Sequence, residues 1–173
     1  MSVSMSVPIS MYQASVPVLD KLLGNLSAIL TKAASWAETR KIDPAVLIGA
    51  RLAPDMFPLV KQVQIACDFA KGAPARLAGA EPPKFEDNET TFADLQARIE
   101  KTRKALASFS AAQIDGTEGR KIKLKFGPRE MEFTGLVYLL HVVMPNFYFH
   151  YTMTYAILRH NGLELGKGDY TGS

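Results

Sequence analysis

The stretch from Met144 to Gly162 constrains this chain more than any other. Both of its ends carry helix signals. Pro145 suits a first helical position, where its missing N–H has no helical partner to lose. Asn161 and Gly162 tolerate the left-handed conformation just past a helix end. Between them nearly every position is aromatic or aliphatic, and a helix that is apolar all round belongs in the middle of a protein. Three residues break that rule. Asn146, His150 and Thr154 fall four apart and make one polar row along the cylinder. Leaving such groups buried and unpaired costs roughly 2–7 kcal/mol each, so the row must be hydrogen-bonded, hydrated or used.

The rest of the chain supplies partners for that helix. From about Met11, after a loose lead-in over residues 1–10, apolar residues recur at three- and four-residue steps: Leu19, Leu22, Leu23, Leu26, Ile29, Leu30, Ala33, Trp36 and Ala37. This spacing predicts a long one-faced helix, bent or restarted by Pro17. Asp43 and Pro44 read as the cap and first residue of a short helix over Ala45 to Leu52. Asp55 reads as the cap of a second long helix, from Asp55 to Ala80, which Gly72 and Pro74 should kink or split. Thr91 to Asp94 resembles a capping box, and Phe92, Leu95, Ile99, Thr102, Leu106 and Phe109 follow as an apolar stripe. Asp94/Arg98 and Glu100/Lys104, each four apart with the acid first, suit salt bridges on a solvated face.

The period then changes. Ile122, Leu124 and Phe126 alternate with Lys121, Lys123 and Lys125; after Gly127-Pro128, Met131 and Phe133 alternate with Glu130 and Glu132. A two-residue turn there pairs Leu124 with Met131, Ile122 with Phe133, Lys125 with Glu130 and Lys123 with Glu132. Apolar side chains meet on one face and opposite charges on the other, which pins a hairpin register. Gly followed by Pro fits a type II′ turn. The tail from Leu163 to Ser173 is too short and glycine-rich for an element of its own. One all-α domain, residues 11–173, follows: a four-helix bundle with a short extra helix and a small β-hairpin before the last helix.

Composition removes several classes of function. A net charge of +3, with acids mixed among the bases and no Lys/Arg run interleaved with aromatics, argues against a nucleic-acid partner. No stretch of about 18 apolar residues exists to span a membrane. The N-terminus lacks the basic start and apolar run of a signal peptide. The single cysteine, Cys67, rules out an internal disulfide framework, reads as a small core residue and suits a reducing cytoplasm.

Several segments together resemble a known family: Asp55-Met56-Phe57-Pro58, Gln62-Val63-Gln64, Asp68, Ala75-Arg76-Leu77, Asn146 to His150, and Ile157 to Gly162. They are similar to a bacterial family of unknown function in the DinB/YfiT-like four-helix-bundle superfamily, over nearly the whole chain from about Met11 to Gly172. Many members of that superfamily bind a divalent metal through three histidines, one on the second long helix and a His-x-x-x-His pair on the fourth; some are thiol-dependent transferases or hydrolases. Aligned on Leu158 to Gly162, His150 falls at the second histidine of the pair and Asn146 at the first. The second long helix has no histidine. Independently of the resemblance, the chain holds only His141, His150 and His160. Their spacings put consecutive members roughly 180° and 80° apart on a straight helix of 3.6 residues per turn, so they cannot share an ion.

His150 is therefore the one candidate catalytic residue, as an acid/base with a free pKa of about 6.5. Asn146, Thr154, Asp55, Gln62, Asp68 and Tyr151 are the candidate pocket lining; no residue is assigned to a metal and no cofactor is expected. Asp55 is also explained as a cap and Asp68 as a surface residue. His160 suits a helix C-terminus, and Arg159 should stack on Tyr155 or Tyr151 or pair with Asp169. Three readings remain: a metal-free small-molecule binder or enzyme around Asn146 and His150, a divergent metal-dependent hydrolase or transferase using His150 with Asp55 or Asp68, and a structural or interaction protein. The excess of aromatic surface on the last helix, with the resemblance, points to a homodimer.

Overall fold

The computed structural model describes residues 9–173. In chain order the elements are α1 (Val16–Thr39), α2 (Pro44–Ile48), α3 (Leu59–Leu77), α4 (Phe92–Ala107), α5 (Ala111–Ile114), the hairpin β1 (Lys121–Phe126) and β2 (Arg129–Thr134), α6 (Gly135–Val137), a π-helical turn (Tyr138–Val143), α7 (Met144–His160) and α8 (Lys167–Thr171). The four long helices form the expected bundle. α3 packs against α7 and α4, and α1 closes the ring against α4, α7 and α8. Leu19, Leu23, Leu26, Ile29 and Leu30 form the buried stripe of α1. Each such side chain contributes about 1.5–3 kcal/mol relative to exposure.

Several boundaries differ from the sequence expectation, each for a local reason. Residues 1–8 of the expected lead-in lie outside the described residues; Ser10 is not loose, since its Oγ donates to Asp115 Oδ1 at 2.8 Å. Pro17 neither bends nor restarts α1 but stands in its first turn, where a proline costs no hydrogen bond. Asp43 does cap α2, accepting from Ala45 N at 2.9 Å, but α2 ends at Ile48, short of Leu52. Asp55 does not cap α3. It lies exposed in a turn, and α3 starts only after Pro58, which serves as the N-cap. A proline holds the residue before it extended, so Phe57 cannot be helical. α3 then runs unbroken through Gly72 and Pro74. Ala73, Pro74 and Ala75 are all buried, and tertiary packing offsets the hydrogen bond that Pro74 cannot make.

The capping box at Thr91 and Asp94 is present on both sides. It diverts Asp94 from Arg98. Asp94 accepts from Thr90 N and Thr91 N at 3.0 and 2.9 Å, and these bonds hold its carboxyl below the usual range. Glu100 and Lys104 do approach, at 3.7 Å.

The hairpin has the expected register, with Leu124 opposite Met131 and Ile122 opposite Phe133. Gly127 at φ 58° supplies the left-handed first turn position. The charges are one step off. Lys121 reaches Glu132 at 3.1 Å and Lys123 reaches Glu130 at 3.7 Å. Diagonal partners lie within range of such long side chains, and among the described residues the slip leaves Lys125 in no ion pair with a glutamate.

The apolar run before Pro145 is already helical rather than a lead-in: α6, the π-turn and α7 follow without a break. The widened turn ends two residues before Pro145, easing a ring that would otherwise press on the carbonyl of His141. α7 is not buried all round. Phe147, Tyr151, Ile157 and Leu158 face the core, while Phe149 is 50% exposed. Aromatic character does not ensure a neighbour on every side. α7 ends as expected: Gly162 is left-handed at φ 98°, and the bonds Leu163 N to Leu158 O and Gly162 N to Arg159 O form a Schellman motif.

The tail, expected to form no element, folds into α8. Asp169 accepts from Gly166 N at 2.8 Å and pairs with Lys32, not with Arg159. Tyr170 packs on Tyr151 with ring centroids 4.4 Å apart. This tertiary contact, absent from any local pattern, holds the tail.

Candidate functional site

The helix α7 packs against α3, and the three members of its polar row have different partners. Thr154 Oγ1 donates to His150 O at 3.0 Å, within its own helix. Asn146 Nδ2 donates to Val142 O at 2.7 Å, on the π-turn. Only His150 crosses to another helix: Nδ1 lies 2.7 Å from Gln62 Oε1 on α3. Gln62 Nε2 donates to Phe57 O at 3.0 Å, which fixes the amide with its oxygen toward the imidazole. An amide oxygen only accepts, so Nδ1 carries the hydrogen. Nε2 then holds the lone pair. Among the described residues it has no hydrogen-bond partner, and it is not sealed from solvent.

The ring of His150 is flanked by Phe69, stacked at 6.3 Å, and Phe149, edge-on at 5.1 Å. Burial lowers its pKa below the ordinary 6.5, so the imidazole is neutral at pH 7. A neutral imidazole with a fixed tautomer can accept a proton or a hydrogen bond at Nε2.

The other candidate residues are dispersed. Tyr151 is buried and its hydroxyl donates to Tyr170 O at 2.7 Å; it ties down the tail rather than lining the His150 face. Burial and then the neighbouring Tyr170 push its pKa up. Asp55 stands exposed in the turn before α3. Asp68 accepts from Lys71 at 2.6 Å and from Arg98 at 2.9 Å. His141 and His160 are exposed. Arg159 Nη1 donates to Leu163 O at 3.4 Å. Among the described residues no three His, Cys, Asp or Glu side chains form a group that could hold a metal ion.

A site that the sequence reading missed surrounds Arg98. Read as part of a solvated face, its side chain is 1% exposed. It meets Asp68 at 2.9 Å, Asp87 at 3.0 Å, Glu89 at 2.9 Å and Glu86 O at 3.1 Å. Its Nε is buried without a partner. Burial opposes its charge, but Glu89 and Asp68 outweigh this and raise its pKa. Gln64 adds a bond to Glu89 at 2.8 Å, and Phe85 lies beneath Lys71, Arg98 and Lys101. Arg98 thus straps the 81–90 loop onto α3 and α4. Two of the four acids in that loop, Asp87 and Glu89, were the available signal.

The domain of unknown function DUF1993 matches residues 11–171. The chain belongs to the DUF1993 family. A crystal structure of a DinB family member protein from Shewanella denitrificans is similar to this DUF1993 protein, with 44% identity and a TM-score of 0.86 over 94% of this chain and 92% of that one. No curated protein matches. The three-histidine centre implied by the superfamily resemblance does not fit the residues of this DUF1993 protein. α3 has no histidine, Asn146 is turned onto Val142, and among the described residues His150 belongs to no group of three metal-ligating side chains.

Proposed function

We propose that this protein binds a small molecule beside Asn146 and His150 on the α3–α7 face, without a tightly bound metal and with no nucleic-acid or membrane partner. The observation that carries this reading is the chain His150 Nδ1, Gln62 Oε1, Gln62 Nε2, Phe57 O. It presents Nε2 as a fixed acceptor between two aromatic rings. A ligand with an O–H or N–H donor and an apolar body suits that setting. In a catalytic version, His150 takes a proton from the ligand at Nε2, while Gln62 steadies the resulting imidazolium through Nδ1–H. Asn146 and Thr154 shape the helix around it. Asp55, Asp68 and Tyr151 take no part, since their contacts lie elsewhere. The single buried cysteine supports a cytoplasmic location, and among the described residues no helix is long and apolar enough to cross a membrane.

A tight transition-metal site wants about three or four convergent ligands at roughly 2.0–2.3 Å. One imidazole beside an amide leaves such an ion mostly to water. Elemental analysis of protein purified without a histidine tag tests this. The expected result is no stoichiometric zinc, nickel or iron. About one equivalent, lost in His150→Ala, overturns it and favours the metal-dependent alternative.

A homodimer is part of the reading. Leu136, Val137, Leu140, Tyr148 and Phe149 are exposed along the α6–α7 segment, and exposed apolar surface gathered on one segment favours an interface. Sedimentation giving only a 19.0 kDa species at high micromolar concentration refutes it.

A further inference from the structure

A second cleft, which shares Phe69 with the surroundings of His150, lies between the C-terminal half of α3, β1 and the π-turn. It has a volume of about 200 Å³ and is lined by Asp68, Phe69, Arg76, Leu124, Lys125 and Tyr138. Arg76 is held rather than free. Its Nη1 donates to Tyr138 Oη at 3.1 Å, and the buried tyrosine hydroxyl donates in turn to Gly72 O at 3.3 Å. The guanidinium folds back along its own helix over Gly72, where a Cβ would collide with Nη1. Glycine at 72 thus makes room for this conformation.

No carboxylate neutralises Arg76 among the described ion pairs. The same holds for Lys125, which the diagonal pairing of the hairpin leaves over. Arg76 and Lys125 also border a neighbouring groove of about 610 Å³ lined by Arg120, Lys121, Lys123 and Glu81; Lys121 and Lys123 are paired with Glu132 and Glu130, so the charge that draws an anion in is that of Arg76, Arg120 and Lys125. The opposite wall differs. Asp68 takes both of its cations on Oδ1, leaving Oδ2 available to a donor. Phe69 and Leu124 supply apolar contact.

We infer that this cleft binds a small organic oxyanion, a carboxylate or phosphate ester with a compact apolar body. The head group sits between the pre-positioned guanidinium of Arg76 and the ammonium of Lys125. Its body lies on Phe69 and Leu124, and a hydroxyl or amino group can reach Asp68 Oδ2. The volume is below the roughly 300–1,000 Å³ of pockets that take drug-sized ligands, so the body is no larger than one ring or a short chain. A guanidinium suits both head groups, because its fork matches two oxygens.

The test is titration of the full chain with benzoate and, separately, phenyl phosphate, read by ¹H–¹⁵N spectra that include the Arg76 Nε–H. The expected result is saturable shifts at Gly72, Arg76, Leu124 and Tyr138 for at least one probe; which probe binds tighter identifies the head group. Loss of a charge-assisted hydrogen bond corresponds to about tenfold or more in affinity. Arg76→Gln and Lys125→Gln should each weaken binding by about that factor. Gly72→Ala gives a second, milder perturbation. It displaces only the flexible end of Arg76, so the fold persists while binding falls. Absence of saturable shifts for both probes overturns the inference, as do shifts that survive unchanged in all three variants.

Discussion

Arg98→Met removes the charge around which the 81–90 loop is tied while keeping most of the side-chain volume. Three carboxylates lose a partner, but not equally. Asp68 and Asp87 are 42% and 38% exposed and rehydrate. Asp68 also keeps Lys71, and Asp87 keeps Lys61. Glu89, 8% exposed, keeps only Gln64. Removing one partner of a buried ion pair costs about 3–5 kcal/mol. With two of the three acids rehydrated, about 3 kcal/mol is expected. For an m-value of about 2 kcal/mol/M, the urea midpoint falls by about 1.5 M. A second change separates charge from packing: Arg98→Met with Glu89→Gln should recover part of the loss, because no buried carboxylate is then left unpaired. Urea unfolding at pH 7, followed by circular dichroism, provides both numbers. A loss below about 1 kcal/mol, or a double variant no more stable than Arg98→Met, would refute the view of this arginine as a buried clasp.

Two further outcomes follow. Cys67 is fully buried, and burial raises its thiol pKa to about 11, so native protein should react with a thiol reagent such as DTNB only as fast as it unfolds; rapid stoichiometric labelling in buffer contradicts this. His150→Gln should leave the fold intact and cost no more than about 1.5 kcal/mol at pH 7. The folded-state pKa of His150 lies below 6.5, so its contribution is present above 6.5 and lost as pH falls through the folded value. The gap between wild type and variant should therefore narrow on acidification, and a constant or widening gap in melting curves from pH 7.5 to 5 contradicts the assignment.

The bundle and hairpin were legible because each rests on local periodicity: Leu19 to Ala37 at helical steps, and Ile122 to Phe133 at steps of two. So was the Schellman end at Gly162, a matter of one backbone angle. What escaped the sequence depends on contacts between distant segments. Arg98 follows Asp94 by four residues, and the local rule pairs them. The capping box claims Asp94, and the acids of the 81–90 loop claim Arg98. Tyr170 forms a helix in a glycine-rich tail because Tyr151 is waiting for it. Gly72 was read as a helix breaker, yet it makes space for Arg76. At the His150 site the row on α7 was visible, but rows say nothing of partners. Of the second-helix candidates only Gln62 meets the histidine. Asp55 fails because Pro58 sets the start of α3, and Asp68 because two cations hold it elsewhere.

The proposed site depends on His150 being a neutral imidazole whose Nδ1–H is fixed by Gln62 and whose Nε2 is open, with no metal bound there. A two-bond ¹H–¹⁵N spectrum of the imidazole nitrogens, recorded across pH before and after one equivalent of Zn²⁺, measures all three parts together. The expected result is the Nδ1–H tautomer, titration below 6.5 and no tight Zn²⁺-induced shift at Nε2. An Nε2–H tautomer, titration above 6.5, or stoichiometric zinc coordination at Nε2 would contradict it.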